Sequence, residues 1–196
     1  PIVIENSGDI MQDAVEHYSE MSAEKSTIIK QLSLKSNQFV LATIHRQENT
    51  DNIKSLISIF KSLEEIHNEF QVVLPLHPRT KKILEENNLK PNITFVDPLG
   101  YFDMLSLLKY CKMVISDSGG LQKEAFFNKK HCIIVREETE WIELVENGFA
   151  EVVGSNQMKI ISAFERFKKS ELNFNKSLYG NNVGESIYQS IISLIK

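Results

Sequence analysis

The chain has 196 residues, 42% hydrophobic and 24% charged, which suits one full domain with an ordinary buried core plus attached segments. Its formal net charge is -4, and 18 of its 22 basic residues are lysines spread without a basic stripe, which argues against a nucleic-acid partner. No apolar run approaches the roughly 20 residues needed to cross a bilayer, so no membrane association is expected.

Residues 1–36 differ in pattern from the rest. Residues 1–4 read as a strand and 9–32 as a helical stretch without strand partners in view, so the segment is expected to be the tail of a preceding domain plus a connecting helix. No charged-then-apolar leader is expected, and the first residue, Pro1, hints at a chain cut from something longer.

From residue 37 onwards short apolar runs alternate with helical stripes. Residues 39–44 (FVLATI), 71–76, 93–96, 113–116, 132–135 and 151–153 read as strands. Residues 53–67, 80–88, 101–110, 121–128, about 140–146, 158–168 and 184–195 read as helices. Alternating strands and helices predict an α/β, Rossmann-like doubly wound parallel sheet, and continuous Val/Ile/Leu runs fit strands covered on both faces. Ligands in such sheets lie outside the carboxyl ends of the strands. Cys111 and Cys132 sit in or beside apolar runs without metal or redox spacing, and read as reduced, packed thiols in a cytoplasmic protein.

Four strand-to-helix loops carry chemistry-bearing residues. The first holds His45, Arg46, Gln47, Glu48 and Asn49, and the second His77, Pro78 and Arg79. The third holds Asp117, Ser118, Gly119 and Gly120, with Glu124 in the next helix, and the fourth holds Arg136, Glu137, Glu138, Thr139 and Glu140. The glycines let a phosphate approach backbone N–H groups at a helix start. The same turn also reads as an ordinary tight turn capped by Ser118. Glu124 is placed to accept from two vicinal hydroxyls or is a plain surface glutamate. His45, beside Arg46 and a helix dipole, is expected to have a lowered pKa, suited either to proton transfer or to positioning a phosphate. His77 with Arg79 points to anion binding or to a satisfied loop histidine. Neither a Walker A motif nor a GxGxxG fingerprint occurs, and no residue set has metal-ligand spacing, so no cofactor and no metal are expected.

The segments TIHRQENTDN (43–52), PLHPRT (75–80), DPLGYFDML (97–105), SDSGGLQKEA (116–125) and REETEW (136–141) together resemble the non-hydrolysing UDP-N-acetylglucosamine 2-epimerase family in order and spacing. NSGDIMQDA (6–14) resembles the segment that closes the family's N-terminal domain. The resemblance implies one half of a GT-B-type architecture, with 1–36 the tail of the N-terminal domain plus connecting helix and 37–196 the C-terminal UDP-binding domain. It implies an isomerase of polysaccharide biosynthesis whose full form is about twice this length and a homodimer. The reaction eliminates UDP across C1–C2 of the sugar to a glycal and re-adds it with inversion at C2.

By the same resemblance Ser118, Gly119 and Gly120 hold the diphosphate, Glu124 the ribose hydroxyls, and the 99–102 loop (Leu99, Gly100, Phe102) the uracil. His45 matches the family's functional histidine, with Arg46, Glu48 and His77 beside it. Arg136, Glu137 and Glu140 match a loop facing the sugar. The common enzymes carry Arg-Pro after the Thr-Glu of that loop. Here Trp141-Ile142 follows, and this form resembles the subgroup acting on modified sugars such as UDP-2,3-diacetamido-glucuronic acid. Residues 179–182 (YGNN) replace a YGDG-like tail.

Two other readings compete: a GT-B glycosyltransferase domain and a non-catalytic UDP-binding module. The former usually pairs two glutamates eight residues apart, whereas position 116, eight before Glu124, is Ser.

Overall fold

The computed structural model describes residues 4–171 and 173–195. Six strands form one parallel sheet: β1 (Phe39–Thr43), β2 (Gln71–Pro75), β3 (Thr94–Val96), β4 (Met113–Ser116), β5 (Cys132–Ile134) and β6 (Ala150–Val152). Each lies within a residue of its expected position, and the spatial order is β3-β2-β1-β4-β5-β6. The chain therefore winds outward from β1 to β3, returns to place β4 beside β1, and winds out again to β6. β1 and β4 flank the point where the winding reverses, which is where a sheet of this kind offers a crevice beyond the carboxyl ends of its strands.

Successive residues of a strand face opposite sides. Phe39, Leu41, Val114, Cys132 and Ile134 join one core, and Val40, Ala42, Met113, Ile115 and Ile133 join the other. This accounts for the unbroken apolar runs of the central strands, whose residues meet a core on both faces. The first core is closed by α1 (Ile10–Lys25), α2 (Ile28–Gln31), α6 (Tyr101–Tyr110), α7 (Gly119–Phe127) and α8 (Ile142–Glu146). The second is closed by α4 (Ile53–His67), α5 (Pro78–Glu86) and α9 (Gln157–Lys168). A one-turn helix α3 (Gln47–Thr50) follows β1, and α10 (Val183–Ile195) ends the described chain. Both cysteines are buried free thiols, and burial pushes the Cys111 thiol up to about 12.

Several elements differ from the sequence pattern. Of the expected strand at 1–4, residues 1–3 lie outside the described residues and Ile4 is not in a strand. The expected helix over 9–32 is two helices, parted at Ser26 and Thr27. Ser26 is extended, and its hydroxyl donates to Asp103 Oδ1 at 2.6 Å, a side-chain bond that competes with helix continuation. Val15, Ile28 and Leu34 are buried in the first core, so this segment packs on the sheet domain through α6 and α7. Its start is knitted to the chain's end. Asp9 N–H donates to Tyr179 O (2.8 Å), and Gly184 N–H donates to Asp13 Oδ2 (2.7 Å). Gly8, at φ +96°, lies so close to Tyr179 O that a Cβ has no room. Helix α7 begins at Gly119 rather than Leu121, and α8 at Ile142 rather than near Glu140.

Candidate functional site

The loops after β1 and β4 meet through Asp117, which directly follows β4 and is fully buried. Its carboxylate accepts from His45 N–H (3.0 and 3.1 Å to its two oxygens), Arg46 N–H (2.9 Å) and Asn49 Nδ2 (3.1 Å). Asn49 Nδ2 also donates to Val135 O (2.9 Å), tying in the end of β5. A buried carboxylate is tolerable when donors of this kind satisfy it. Behind it, the Thr43 and Ser116 hydroxyls share a 2.6 Å bond, and Ser116 Oγ accepts from Ser118 N–H at 2.9 Å. Thr80 Oγ1 donates to Ile44 O. The start of the HRQEN segment is thus a braced turn running into α3, where a loop was expected. Asp117 and Asn49 stood in the sequence motifs without a role. An acidic residue at the end of a buried strand was the available signal.

His45 projects from this brace, about one-third exposed, with Nδ1 3.7 Å from Asp117 Oδ1, too long for a hydrogen bond. Its ring lies 5.3 Å from that of His77. Burial lowers its pKa, Asp117 opposes this, and His77 and Arg46 add to the lowering. The direction matches the expectation, but desolvation is the larger cause and the neighbouring cation a lesser one. His77 caps α5, its Nδ1 accepting from Arg79 N–H at 3.2 Å.

The Arg79 guanidinium donates to Thr50 Oγ1 (2.8 Å) and Asp51 Oδ1 (2.6 Å), anchoring the end of α3. Arg136, buried, donates Nε to Glu48 Oε1 (2.8 Å) and Nη1 to both oxygens of Glu140 (2.9 and 3.0 Å). The Glu140 hydrogen bonds raise the Arg136 pKa, and Arg136 lowers that of Glu140. These three residues form one bracket across the mouth of the crevice. Glu137 lies outside it, its carboxylate packed over Gly154, which has φ +62°.

The Arg46 guanidinium makes no hydrogen bond or ion pair with another described residue. It stands beside Gly119, with Nη2 3.6 Å and Glu140 Oε2 3.3 Å from the place a Cβ would occupy. A Cβ at Gly120 would meet only open space. Ser118 occupies the cap position of α7 without a capping bond from its hydroxyl, which leaves that hydroxyl and the first N–H groups of the helix for a ligand. One turn on, the half-buried Glu124 carboxylate also has no partner among the described residues, and burial raises its pKa.

The 99–102 turn is divided. Leu99 lines a groove of about 670 Å3 with Ile28, Leu32, Leu76 and Phe95. Gly100 borders open space. Tyr101 is 43% exposed and within electrostatic reach of Glu124, which, after burial, raises its pKa. Phe102 is turned onto α1, its ring 6.1 Å from Tyr18 and 4.9 Å from Lys25 Nζ. Among the described residues no group of three His, Cys, Asp or Glu is placed to hold a metal ion. None of the helices described is long and apolar enough to cross a membrane.

The family model described as UDP-N-acetylglucosamine 2-epimerase matches residues 2–192. A Pseudomonas aeruginosa UDP-2,3-diacetamido-2,3-dideoxy-D-glucuronate 2-epimerase is 39% identical over 93% of this chain and 51% of its own length. The crystal structure of Methanocaldococcus jannaschii UDP-GlcNAc 2-epimerase in complex with UDP-GlcNAc and UDP superposes with TM-score 0.85 at 33% identity, over 95% of this chain and 54% of that one. The glycosyltransferase WaaG shares the fold alone, with TM-score 0.51 at 13% identity over 76% of this chain and 42% of that one. The chain spans about half the length of the relatives it matches.

The Asp117 brace is directly testable. Asp117→Ala removes the acceptor shared by the His45 and Arg46 N–H groups and the Asn49 amide and leaves all three without it. A loss of about 2–4 kcal/mol in urea unfolding is expected. Unchanged stability, together with unchanged His45 and Arg46 amide resonances, is the opposing result.

Proposed function

Because the chain belongs to the UDP-N-acetylglucosamine 2-epimerase family, we propose that it is the nucleotide-binding wall of a sugar-nucleotide C2 epimerase and grips the UDP moiety. The observation that carries this reading is Glu124, a half-buried carboxylate without a partner among the described residues, one turn beyond a helix start that is open at Gly120. The helix N-terminus and the uncommitted Arg46 guanidinium suit a diphosphate, and Glu124 suits the two ribose hydroxyls that follow it. Leu99 and Gly100 remain our candidates for the uracil, and Tyr101, near Glu124, replaces Phe102, whose ring packs on α1.

Elimination of UDP needs stabilisation of the departing diphosphate and a base for the C2 proton. The Ser118–Gly120 turn with Arg46 supplies the first. His45, held neutral by burial near pH 7, is our candidate for proton transfer. The Arg136–Glu48–Glu140 bracket faces the sugar side. The P. aeruginosa relative is named for a UDP-diacetamido-glucuronate, and Trp141 stands where the common enzymes carry Arg-Pro, so we favour a modified UDP-sugar as substrate. In the whole enzyme a second domain, entered through residues 1–36, supplies the opposite wall, and two such chains make a homodimer. A nucleotide-sugar substrate and two buried free thiols fit a cytoplasmic setting. The glycosyltransferase reading is disfavoured, since Ser116, where its second glutamate would stand, is buried and bonded to Thr43.

Calorimetry with UDP tests the grip, and Glu124→Gln tests its central contact. The carboxylate has a raised folded-state pKa, so its ionisation costs stability above the unfolded-state pKa and costs nothing well below it. Gln removes that cost, so at pH 7 the unliganded variant should unfold at higher urea while binding UDP about ten- to a hundredfold more weakly. No UDP binding by the folded wild-type chain at millimolar concentration would refute the reading.

The isolated chain should leave UDP-GlcNAc unepimerised in an NMR assay, because one wall cannot exclude water from a glycal. Appearance of the C2 epimer would show the second wall to be dispensable.

In the whole enzyme His45→Ala should lower turnover about 10²–10⁴-fold with a much smaller change in UDP affinity. Equal losses in both would make His45 a diphosphate positioner instead.

A further inference from the structure

Trp141 is the single tryptophan of the sequence, and three ties join its loop to the first turns of α7. Its indole N–H donates to Gly119 O at 2.8 Å. Its ring lies over Lys123 Nζ, 3.9 Å from the centroid. Its backbone N–H donates to Thr139 Oγ1 (3.1 Å), whose hydroxyl in turn donates to Gln122 Oε1 at 2.6 Å. Lys123 is buried and paired with Asp9, the residue that caps α1, so the ring rests on a fixed cation.

The Gly119 carbonyl belongs to the same rigid peptide plane as the Gly120 N–H, and in a trans peptide the two point in opposite directions. Whatever holds that oxygen therefore aims that N–H. That carbonyl is also the first-turn acceptor of α7, opposite the Lys123 N–H, and the indole adds a second donor to it where two consecutive glycines make the first turn prone to fray. The indole nitrogen borders the place a Cβ would take at Gly119, whereas a Cβ at Gly120 would meet only open space.

We propose that Trp141 is a positioning residue for the diphosphate: by holding the Gly119 carbonyl it fixes the Gly120 N–H toward the crevice before the ligand arrives. This rests on the UDP reading above and adds to it a residue that never touches the nucleotide. The benefit is preorganisation, so it falls on the phosphate contacts and not on the nucleoside.

Trp141→Phe keeps a ring over Lys123 and removes the indole donor. Its affinity for UDP should fall roughly three- to tenfold, the usual size of one neutral hydrogen bond, while its affinity for uridine, followed by NMR at millimolar concentration, stays at the wild-type value. An unchanged UDP affinity, or an equal loss for uridine and UDP, overturns the proposal. If the variant does not fold, the wild-type chain still decides. Its one indole N–H resonance should shift on saturation with UDP and move little with uridine, and an indole signal indifferent to bound UDP is the negative result. Absence of UDP binding by the wild-type chain is a different failure, of the nucleotide reading itself, and removes this inference with it.

Discussion

A single buried carboxylate holds the two halves of the crevice together. Asp117 leaves β4 and gathers the His45 and Arg46 N–H groups and the Asn49 amide, all from the loop after β1. Without that charge the chain after β1 would have buried donors and nothing to accept from them. With it, His45 acquires a fixed backbone, Arg46 a fixed origin, and α3 a place to start. The turn into α7 follows Asp117 directly, so one residue sets the distance between the imidazole and the glycines.

Around that brace the charged groups sort into two kinds. Arg79, Arg136 and Arg166 are engaged with Asp51, with Glu48 and Glu140, and with Glu151. These pairs join elements and orient loops. Arg46 and Glu124 are different, since neither has a partner among the described residues although both border the same open helix start. Arg46 is exposed, but Glu124 is partly desolvated, and an unpaired carboxylate of that kind carries a cost that a ligand donor can offset. The cation lies near the glycines and the carboxylate one turn further. That order matches a diphosphate followed by a ribose.

The proposed elimination and re-addition would need a closed, dry space, and this chain is proposed to form one wall of it. Its relatives are about twice as long, and the segment that begins the described chain is knitted to the segment that ends it through Asp9, Asp13, Tyr179 and Gly184. Lys123 carries that knot to Trp141 and so to the Gly119 carbonyl. The start of α1 and the Gly119–Gly120 turn are therefore physically continuous.

The sequence by itself determined the six strands, most of the helices and the four loaded loops. Continuous apolar runs and helical stripes are local patterns, and a residue's burial on both faces of a strand is written in its neighbours. It also singled out His45, Gly119, Gly120 and Glu124, because residue type and position after a strand carry that information. Tertiary structure alone decided which charges are taken. Asp117 meets His45 across 72 positions, and Arg136 meets Glu48 across 88. Arg79 paired with Asp51, and Phe102 turned to α1 while Tyr101 stayed near Glu124. A long polar side chain bonds to whatever the strand order β3-β2-β1-β4-β5-β6 brings within about 3 Å, and that order is set by the packing of the whole sheet, to which local periodicity is blind.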